Sequence, residues 1–178
     1  MNINYYYFIN EFNKNEIEKL PTQISLIYRN YNKKNEPNEL IKLVKYCKSN
    51  RRKVYISNDL KVAIKYNFNG LYIPSFNRKL VFKNIVKKNF ELIGSAHNVT
   101  EIKMKEKQGC SSIFLSPIFE NNKNKKFLGV IKTNLLKNFT KKQIILLGGV
   151  NYENLKRLKI CSANGIASIS WIKKTARV

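Results

Sequence analysis

The sequence predicts a compact, single-domain (β/α)8 TIM barrel over residues 1–178, an α/β fold in which eight parallel strands close into a cylinder. Strand-like and helix-like patterns alternate along nearly the whole chain, which is typical of parallel strands joined by helices. Eight strand patterns occur, and this number favours a closed barrel over an open sheet. Because 178 residues are few for this fold, several helices must be short.

The predicted strands are short apolar runs that end in polar or small residues. The run before Gly148 is apolar without interruption, as expected for a strand covered on both faces. The predicted strands are Tyr5–Asn10, Ile24–Tyr28, Lys53–Ser57, Gly70–Ile73, Glu91–Gly94, Ser112–Ser116, Ile144–Leu147 and Gly165–Ser170.

Segments of helical character lie in nearly every gap between these strands. Thr100 is the expected N-cap of the fifth helix, and Gly109 closes it. An open Rossmann-like or flavodoxin-like sheet is the alternative, but no G-x-G-x-x-G motif follows the first strand. The predicted helices are Glu16–Leu20, Asn38–Lys48, Leu60–Tyr66, Val81–Lys88, the segment after Thr100, Thr133–Phe139 and Tyr152–Lys159.

Paired glycines, Gly148 and Gly149, end the seventh predicted strand. Glycines at a strand end let a phosphate approach backbone N–H groups without a side chain in the way. The eighth strand, Gly165–Ser170, follows at the distance of one β/α unit. Because the loops after strands 7 and 8 form the usual phosphate site of such barrels, this pair predicts a phosphate site. An ordinary Gly-Gly turn is the alternative.

The chain is strongly basic, with 34 Lys and Arg against 11 Asp and Glu and a formal net charge of +23. Such a surplus attracts anions. The basic residues are nevertheless spread along the chain, and most lie on polar helix faces where they are expected to be solvated; examples are Lys42, Lys45, Lys48, Lys103, Lys105 and Lys107. The abundance of Lys, Asn, Ile, Tyr and Phe also fits an AT-rich coding sequence, so a nucleic-acid partner is not expected.

The cysteines and the N-terminus exclude several other classes. Cys47, Cys110 and Cys161 form no CxxC pair and the chain has one histidine, which argues against a zinc site and fits a reducing cytosol. The N-terminus has no signal-peptide pattern, and no apolar run is long enough to span a membrane. We therefore expect a cytoplasmic protein without a membrane partner; the oligomeric state stays open.

Polar residues follow several predicted strands at their carboxyl ends. In a barrel these ends share one rim and converge on one pocket, which predicts a functional site there. Each residue alone could simply solvate a loop or cap a helix, as Asp59 could cap the helix that begins at Leu60. The residues are Arg29, Asn58, Asp59, Ser95, His97 and Ser116.

From about Ile24 to Ile172 the chain resembles the thiamine phosphate synthase family, which includes the thiazole tautomerases. Each matching segment is short, but together they occur in the family's order and spacing. The matching segments are Tyr28-Arg29, Ser57–Asp59, Gly70–Ile73, Ile93–Asn98, Ser116–Phe119, Leu147–Val150 and Gly165–Ser170.

The resemblance implies a barrel that handles thiazole phosphate. In the synthases, a pyrimidine diphosphate loses diphosphate, and the thiazole nitrogen captures the resulting pyrimidine carbocation. Mg²⁺ and basic residues neutralise the departing diphosphate. The resemblance assigns Arg29 to the diphosphate, Asn58 to the diphosphate or pyrimidine, Asp59 to Mg²⁺ and Ser95 to the pyrimidine. It assigns the thiazole-phosphate cradle to the segments containing Gly148, Gly149, Ile169 and Ser170.

The departures from the family pattern fall on the diphosphate side. Ile27 and Tyr31 replace the Gln and Lys of the family's Q-x-R-x-K motif, and Asn77 replaces the last Asp of H-x-G-Q-x-D, a second Mg²⁺ ligand. The segment 121–126 replaces a T-x-T-K loop. We therefore expect binding of thiazole phosphate, with Mg²⁺ and diphosphate bound weakly and synthase activity slow or absent.

Two other functions remain open. In the tautomerases, a histidine at the position of His97 moves the proton that aromatises the thiazole, and histidine exchanges protons readily near neutral pH. A tautomerase using His97 is therefore one alternative. A non-catalytic barrel that binds phosphate or nucleic acid is the other.

Overall fold

The computed structural model describes residues 3–31, 36–84, 89–121, 125–151 and 153–168. Its strands form one closed barrel in the order β1 to β8, and every neighbouring pair is parallel. The barrel closes where Tyr5 of β1 pairs with Ile166 of β8. The predicted (β/α)8 barrel is therefore confirmed, and the open-sheet alternative is wrong.

The strands agree with the predicted ones to within about two residues. Ser95 and Ala96 extend the fifth strand, and the predicted end of the eighth at Ile169-Ser170 lies outside the described residues. The strands are β1 (Asn4–Ile9), β2 (Ile24–Tyr28), β3 (Val54–Ser57), β4 (Gly70–Ile73), β5 (Glu91–Ala96), β6 (Ser112–Leu115), β7 (Gln143–Leu147) and β8 (Gly165–Ser168).

The helices are short, as the chain length requires. Asn98, not Thr100, caps α4, because its side chain accepts the Glu101 N–H. A 3₁₀ turn, Val81–Asn84, lies where a longer helix was expected, and residues 85–88 lie outside the described part. The helices are α1 (Lys14–Glu18), α2 (Pro37–Ser49), α3 (Leu60–Lys65), α4 (Val99–Lys107), α5 (Gly129–Lys137) and α6 (Leu155–Leu158).

Aromatic rings fill the inside of the barrel. Tyr6 and Tyr72 each contact Phe114 edge-on, at ring-centroid distances of 4.9 and 5.5 Å, and Phe8 meets Tyr72 at 5.3 Å. Such edge-to-face pairs are favourable beyond their buried area. Large rings let strands of only a few residues enclose a filled apolar core. Polar side chains that could bind a ligand therefore lie at the carboxyl-end rim.

The remaining apolar side chains pack between the strands and the outer helices. All three cysteines are buried and unpaired, and burial raises the pKa of Cys47 and Cys110 to about 12. No helix within the described ranges is both long and apolar enough to cross a bilayer.

Candidate functional site

Polar contacts connect the carboxyl ends of neighbouring strands around one rim. Asn77, after β4, donates to Asn58, after β3, over 2.6 Å. His97, after β5, contacts Ser75 after β4 and Ser116 after β6. Three of the predicted rim residues, Asn58, His97 and Ser116, thus lie in two hydrogen-bonded groups, and both groups include a residue of the loop that follows β4.

His97 is held in a defined orientation. Its Nδ1 lies 2.5 Å from the Ser116 carbonyl oxygen, and its Nε2 lies 3.0 Å from Ser75 Oγ. A carbonyl can only accept, so Nδ1 carries the hydrogen of the neutral ring and Nε2 accepts from the Ser75 hydroxyl. The side chain of Glu101 accepts the His97 backbone N–H at 2.8 Å. The exposed imidazole therefore presents a basic nitrogen next to a hydroxyl, an arrangement suited to proton transfer.

A buried lysine fixes the loop that carries Ser75. Lys105 of α4 is fully buried and donates to the carbonyl oxygens of Pro74 and Asn77 at 2.7 and 3.0 Å, and to the side chain of Gln108 at 2.9 Å. Gln108 in turn donates to the carbonyls of Asn77 and Lys79. Desolvation lowers the pKa of Lys105 to about 8. The expectation that Lys105 is a solvated surface lysine is wrong, since its buried ammonium group is hydrogen-bonded to the backbone of the Pro74–Lys79 loop.

Helical spacing is the signal that could have revealed this anchor. Ile102 and Lys105 of α4 and its C-cap Gln108 recur every three residues and therefore lie on one side of the helix. Ile102 is buried, so the other two face the barrel as well. Gly94 of β5 supplies the space, because a Cβ there would lie 2.8 Å from Cδ of Lys105. No sequence signal pointed to Ser75, which replaces a family glutamine.

Arg29 lies just beyond β2, with its guanidinium 4.6 Å above the Phe8 ring. It borders a cavity of about 220 Å³ at the ends of β1 and β2. Glu11 and Glu16 also line this cavity, and their carboxylates weaken its attraction for a diphosphate.

Ser95 lies inside the barrel, within β5, and not beyond the strand end as expected. It hydrogen-bonds to Tyr72, whose pKa burial raises to about 12. Ser95 is therefore already engaged by the buried phenol of Tyr72.

Tyr31 takes part in the same rim. Its hydroxyl lies 2.8 Å from Ser57 Oγ, and its ring meets Phe76 edge-on at 6.3 Å. Both rings are more than half exposed, at 56% and 66%. An aromatic pair thus connects the segments that follow β2 and β4.

The paired glycines both have a left-handed backbone, with φ of +92° at Gly148 and +72° at Gly149. A Cβ at Gly149 would lie 2.3 Å from the Phe119 carbonyl oxygen. The close approach of the β6–α5 segment therefore requires glycine here, whatever ligand binds. Ile169 and Ser170, the other half of the predicted cradle, lie outside the described residues.

A family model described as thiamine monophosphate synthase matches residues 18–172. The chain belongs to the thiamine monophosphate synthase family. A "Putative thiamine-phosphate synthase 2" of Aquifex aeolicus is 31% identical over 144 residues, which cover 75% of this chain and 74% of that protein. The resemblance inferred from the sequence motifs is confirmed.

Other members of the thiamine monophosphate synthase family are more distant. The thiamine-phosphate synthases of Methanococcus vannielii and Prochlorococcus marinus are 22% and 27% identical over 66% and 80% of this chain. The chain spans only 58% and 42% of the lengths of these two proteins.

Two solved family structures share the fold. Thiamine phosphate pyrophosphorylase from Pyrococcus furiosus has a TM-score of 0.74 at 16% identity, covering 97% of this chain and 92% of that one. The enzyme of the same name from Bacteroides thetaiotaomicron has a TM-score of 0.61 at 17% identity, covering 95% and 83%. At these identities the likeness establishes the fold alone.

Thiamine monophosphate synthases normally use Mg²⁺, but the residues present here fit the ion poorly. Asp59 caps α3 and has one carboxylate oxygen 3.0 Å from the Val62 N–H. Asn77 donates to Asn58 where the family motif provides a carboxylate. Across the described ranges, no three His, Cys, Asp or Glu side chains cluster as a metal site. Because Mg²⁺ favours carboxylate and phosphate oxygens, these side chains alone make a weak site for the ion.

Proposed function

We propose that the protein binds a thiazole phosphate at the carboxyl-end rim and has a weakened capacity to join it to the pyrimidine diphosphate. The observation that carries this proposal is that the residues replacing the family's diphosphate-binding motifs are buried or bonded to neighbouring side chains. Tyr31 is bonded to Ser57 and packs on Phe76, Asn77 is paired with Asn58, and Ile27 is fully buried in the barrel. Ile27 has no hydrogen-bonding group where the family has Gln, Tyr31 has no positive charge where it has Lys, and Asn77 has no carboxylate for Mg²⁺ where it has Asp.

The strand-end glycines support the other half of the proposal, which is that the protein binds a thiazole phosphate. Both strand-end glycines are kept, and their left-handed backbone is of the kind that lets successive amide groups form an anion-binding nest. The proposed cradle consists of Gly148 and Gly149 with Ile169 and Ser170. Arg29 is the proposed cation for any second phosphate group, and Asp59 holds Mg²⁺ only when substrate phosphates complete the ion's ligands.

A tautomerase is the second candidate function, and the geometry of His97 favours it. Nε2 of the neutral ring takes a proton from one position of the bound thiazole, giving an imidazolium. The imidazolium then returns a proton to another position, so the substrate is isomerised with no net change in protons. Ser75 acts as a positioning residue, since its hydroxyl donates to the same nitrogen until the substrate replaces it. A non-catalytic phosphate-binding barrel is the remaining alternative.

Removing the phosphate from the ligand is the cleanest test of the cradle. We expect the thiazole alcohol to bind at least tenfold more weakly than thiazole phosphate, about 1.4 kcal/mol, by isothermal titration calorimetry. Truncating the ligand is preferable to Gly149→Asp, because a side chain at that position collides with the Phe119 carbonyl and disturbs the loop. Equal affinities for the two ligands would refute the phosphate site.

Restoring the family motifs should restore synthase chemistry. We expect Asn77→Asp combined with Ile27→Gln and Tyr31→Lys to raise Mg²⁺-dependent formation of thiamine phosphate at least tenfold, measured by mass spectrometry. Tyr31→Phe is the matched control, since it breaks the Ser57 contact without adding a charge and should give no gain. A folded triple variant with no gain would show that the pocket has been repurposed.

A further inference from the structure

A large groove lies at the end of the barrel opposite the rim. Its volume is about 610 Å³, and it runs between α2, α3 and the loops that enter β3 and β4. We call it the basic groove; its lining residues are Ile41, Val44, Lys45, Lys48, Arg51, Arg52, Lys53, Lys65, Tyr66, Asn67 and Asn69.

The lining of the basic groove contains six cationic residues and no carboxylate. Lys53 is ion-paired with Glu91, at 2.5 Å. Within the part of the chain that the structure describes, no ion pair involves Lys45, Lys48, Arg51 or Lys65. A concave surface lined by charges of one sign concentrates the field and attracts counter-ions more strongly than the same charges on a convex helix face.

Arg52 gives the groove a rigid base. It is 4% exposed, and its two terminal nitrogens donate to the carbonyl oxygens of Leu20, Pro21 and Ile24 at 2.8 to 2.9 Å. Carbonyl oxygens satisfy these donors without cancelling the charge as a carboxylate would. The buried guanidinium therefore adds a fixed positive charge to those of the lysine side chains that line the groove.

The basic groove is independent of the rim. Lys53 directly precedes β3, and Asn69 directly precedes β4, so the groove lies at the amino ends of these strands. Because all strands are parallel, the rim residues lie at the other end, at least one four-residue strand away, roughly 13 Å. A ligand in the groove cannot be the thiazole or pyrimidine substrate in its reacting position.

The chemistry of the lining indicates the ligand. Single-stranded nucleic acids need a series of aromatic platforms for successive bases, whereas Tyr66 is the one aromatic residue in the lining, and Lys65 lies 5.3 Å above its ring. Several cations around one concavity instead match several adjacent phosphate groups. We propose that the basic groove binds an oligophosphate chain, either free or as part of a nucleoside polyphosphate.

Titration with inorganic tripolyphosphate tests this proposal. We expect saturable one-to-one binding by isothermal titration calorimetry in metal-free buffer, weakening as salt is added. The variant Lys45→Glu/Lys48→Glu should lose at least tenfold in affinity. The matched control Lys107→Glu/Lys132→Glu removes the same charge from exposed positions on α4 and α5 and should stay within threefold of the wild type.

Three further comparisons separate the alternatives. Saturating thiazole phosphate should leave the affinity for tripolyphosphate unchanged, because the rim is at the opposite end of the barrel. ATP bound as tightly as tripolyphosphate indicates recognition of the phosphate chain alone, and tighter ATP binding indicates a nucleotide; both outcomes support the proposal. Equal losses in the two lysine variants, competition between thiazole phosphate and tripolyphosphate, or tighter binding of a ten-nucleotide single strand would overturn it.

Discussion

Replacing Lys105 with methionine should destabilise the protein by roughly 3 kcal/mol, because it leaves the buried oxygens of Pro74, Asn77 and Gln108 without their ammonium donor. Methionine keeps most of the side-chain volume, so the change isolates the hydrogen bonds. Urea unfolding should show a lower midpoint with an unchanged slope. Lys107→Met, at an exposed position two residues away, is the matched control and should stay within about 0.5 kcal/mol of the wild type.

The difference in stability between the wild type and Lys105→Met should change with pH in a definite direction. The folded protein holds the pKa of Lys105 at about 8, below the ordinary value of 10.5, so it releases this proton before the unfolded chain does. The buried charge therefore costs stability below pH 8, and that cost disappears as the pH rises towards 10.5. We expect the wild type to gain stability relative to Lys105→Met between about pH 7.5 and about pH 9.5. A difference that is constant or shrinks over this interval would contradict the burial of the ammonium.

Replacing His97 with alanine should lower any thiazole isomerisation at least a hundredfold, because general acid–base catalysis by one positioned residue typically contributes that much. Ser75→Ala should have a smaller effect, since it removes only the hydroxyl beside Nε2. The affinity for thiazole phosphate should change less than threefold in both variants, as neither residue belongs to the proposed phosphate cradle. Full isomerisation by a folded His97→Ala protein would exclude the tautomerase.

The fold followed from local patterns that do not depend on tertiary context. Uninterrupted apolar runs and their regular spacing predicted all eight strands, and β2 and β4 begin and end at the predicted residues. Helix ends were less predictable, because capping is a competition between nearby polar residues. Asn98 and Thr100 are both suitable caps, and the side chain of Asn98 accepts the Glu101 N–H.

The sequence predicted where the site lies on the barrel, but not which side chains contact one another there. Because the carboxyl ends of parallel strands converge, Asn58, His97 and Ser116 were correctly predicted to lie at one rim. The anchoring by Lys105 was missed because a lysine on a helix is usually solvated, and only the space left by Gly94 lets this one enter the core. The partnership of Ser75 with His97 depends on how the β4 and β5 ends pack, which no local pattern encodes.

A single reaction mixture tests most directly the proposal that the protein has a weakened capacity to join thiazole phosphate to the pyrimidine diphosphate. The unmodified protein is incubated with thiazole phosphate, pyrimidine diphosphate and Mg²⁺, and thiamine phosphate is measured by mass spectrometry over time. We predict binding of thiazole phosphate with slow or no product, and a gain when the positions of Ile27, Tyr31 and Asn77 carry the family residues. Rapid Mg²⁺-dependent turnover by the unmodified chain would contradict the proposal.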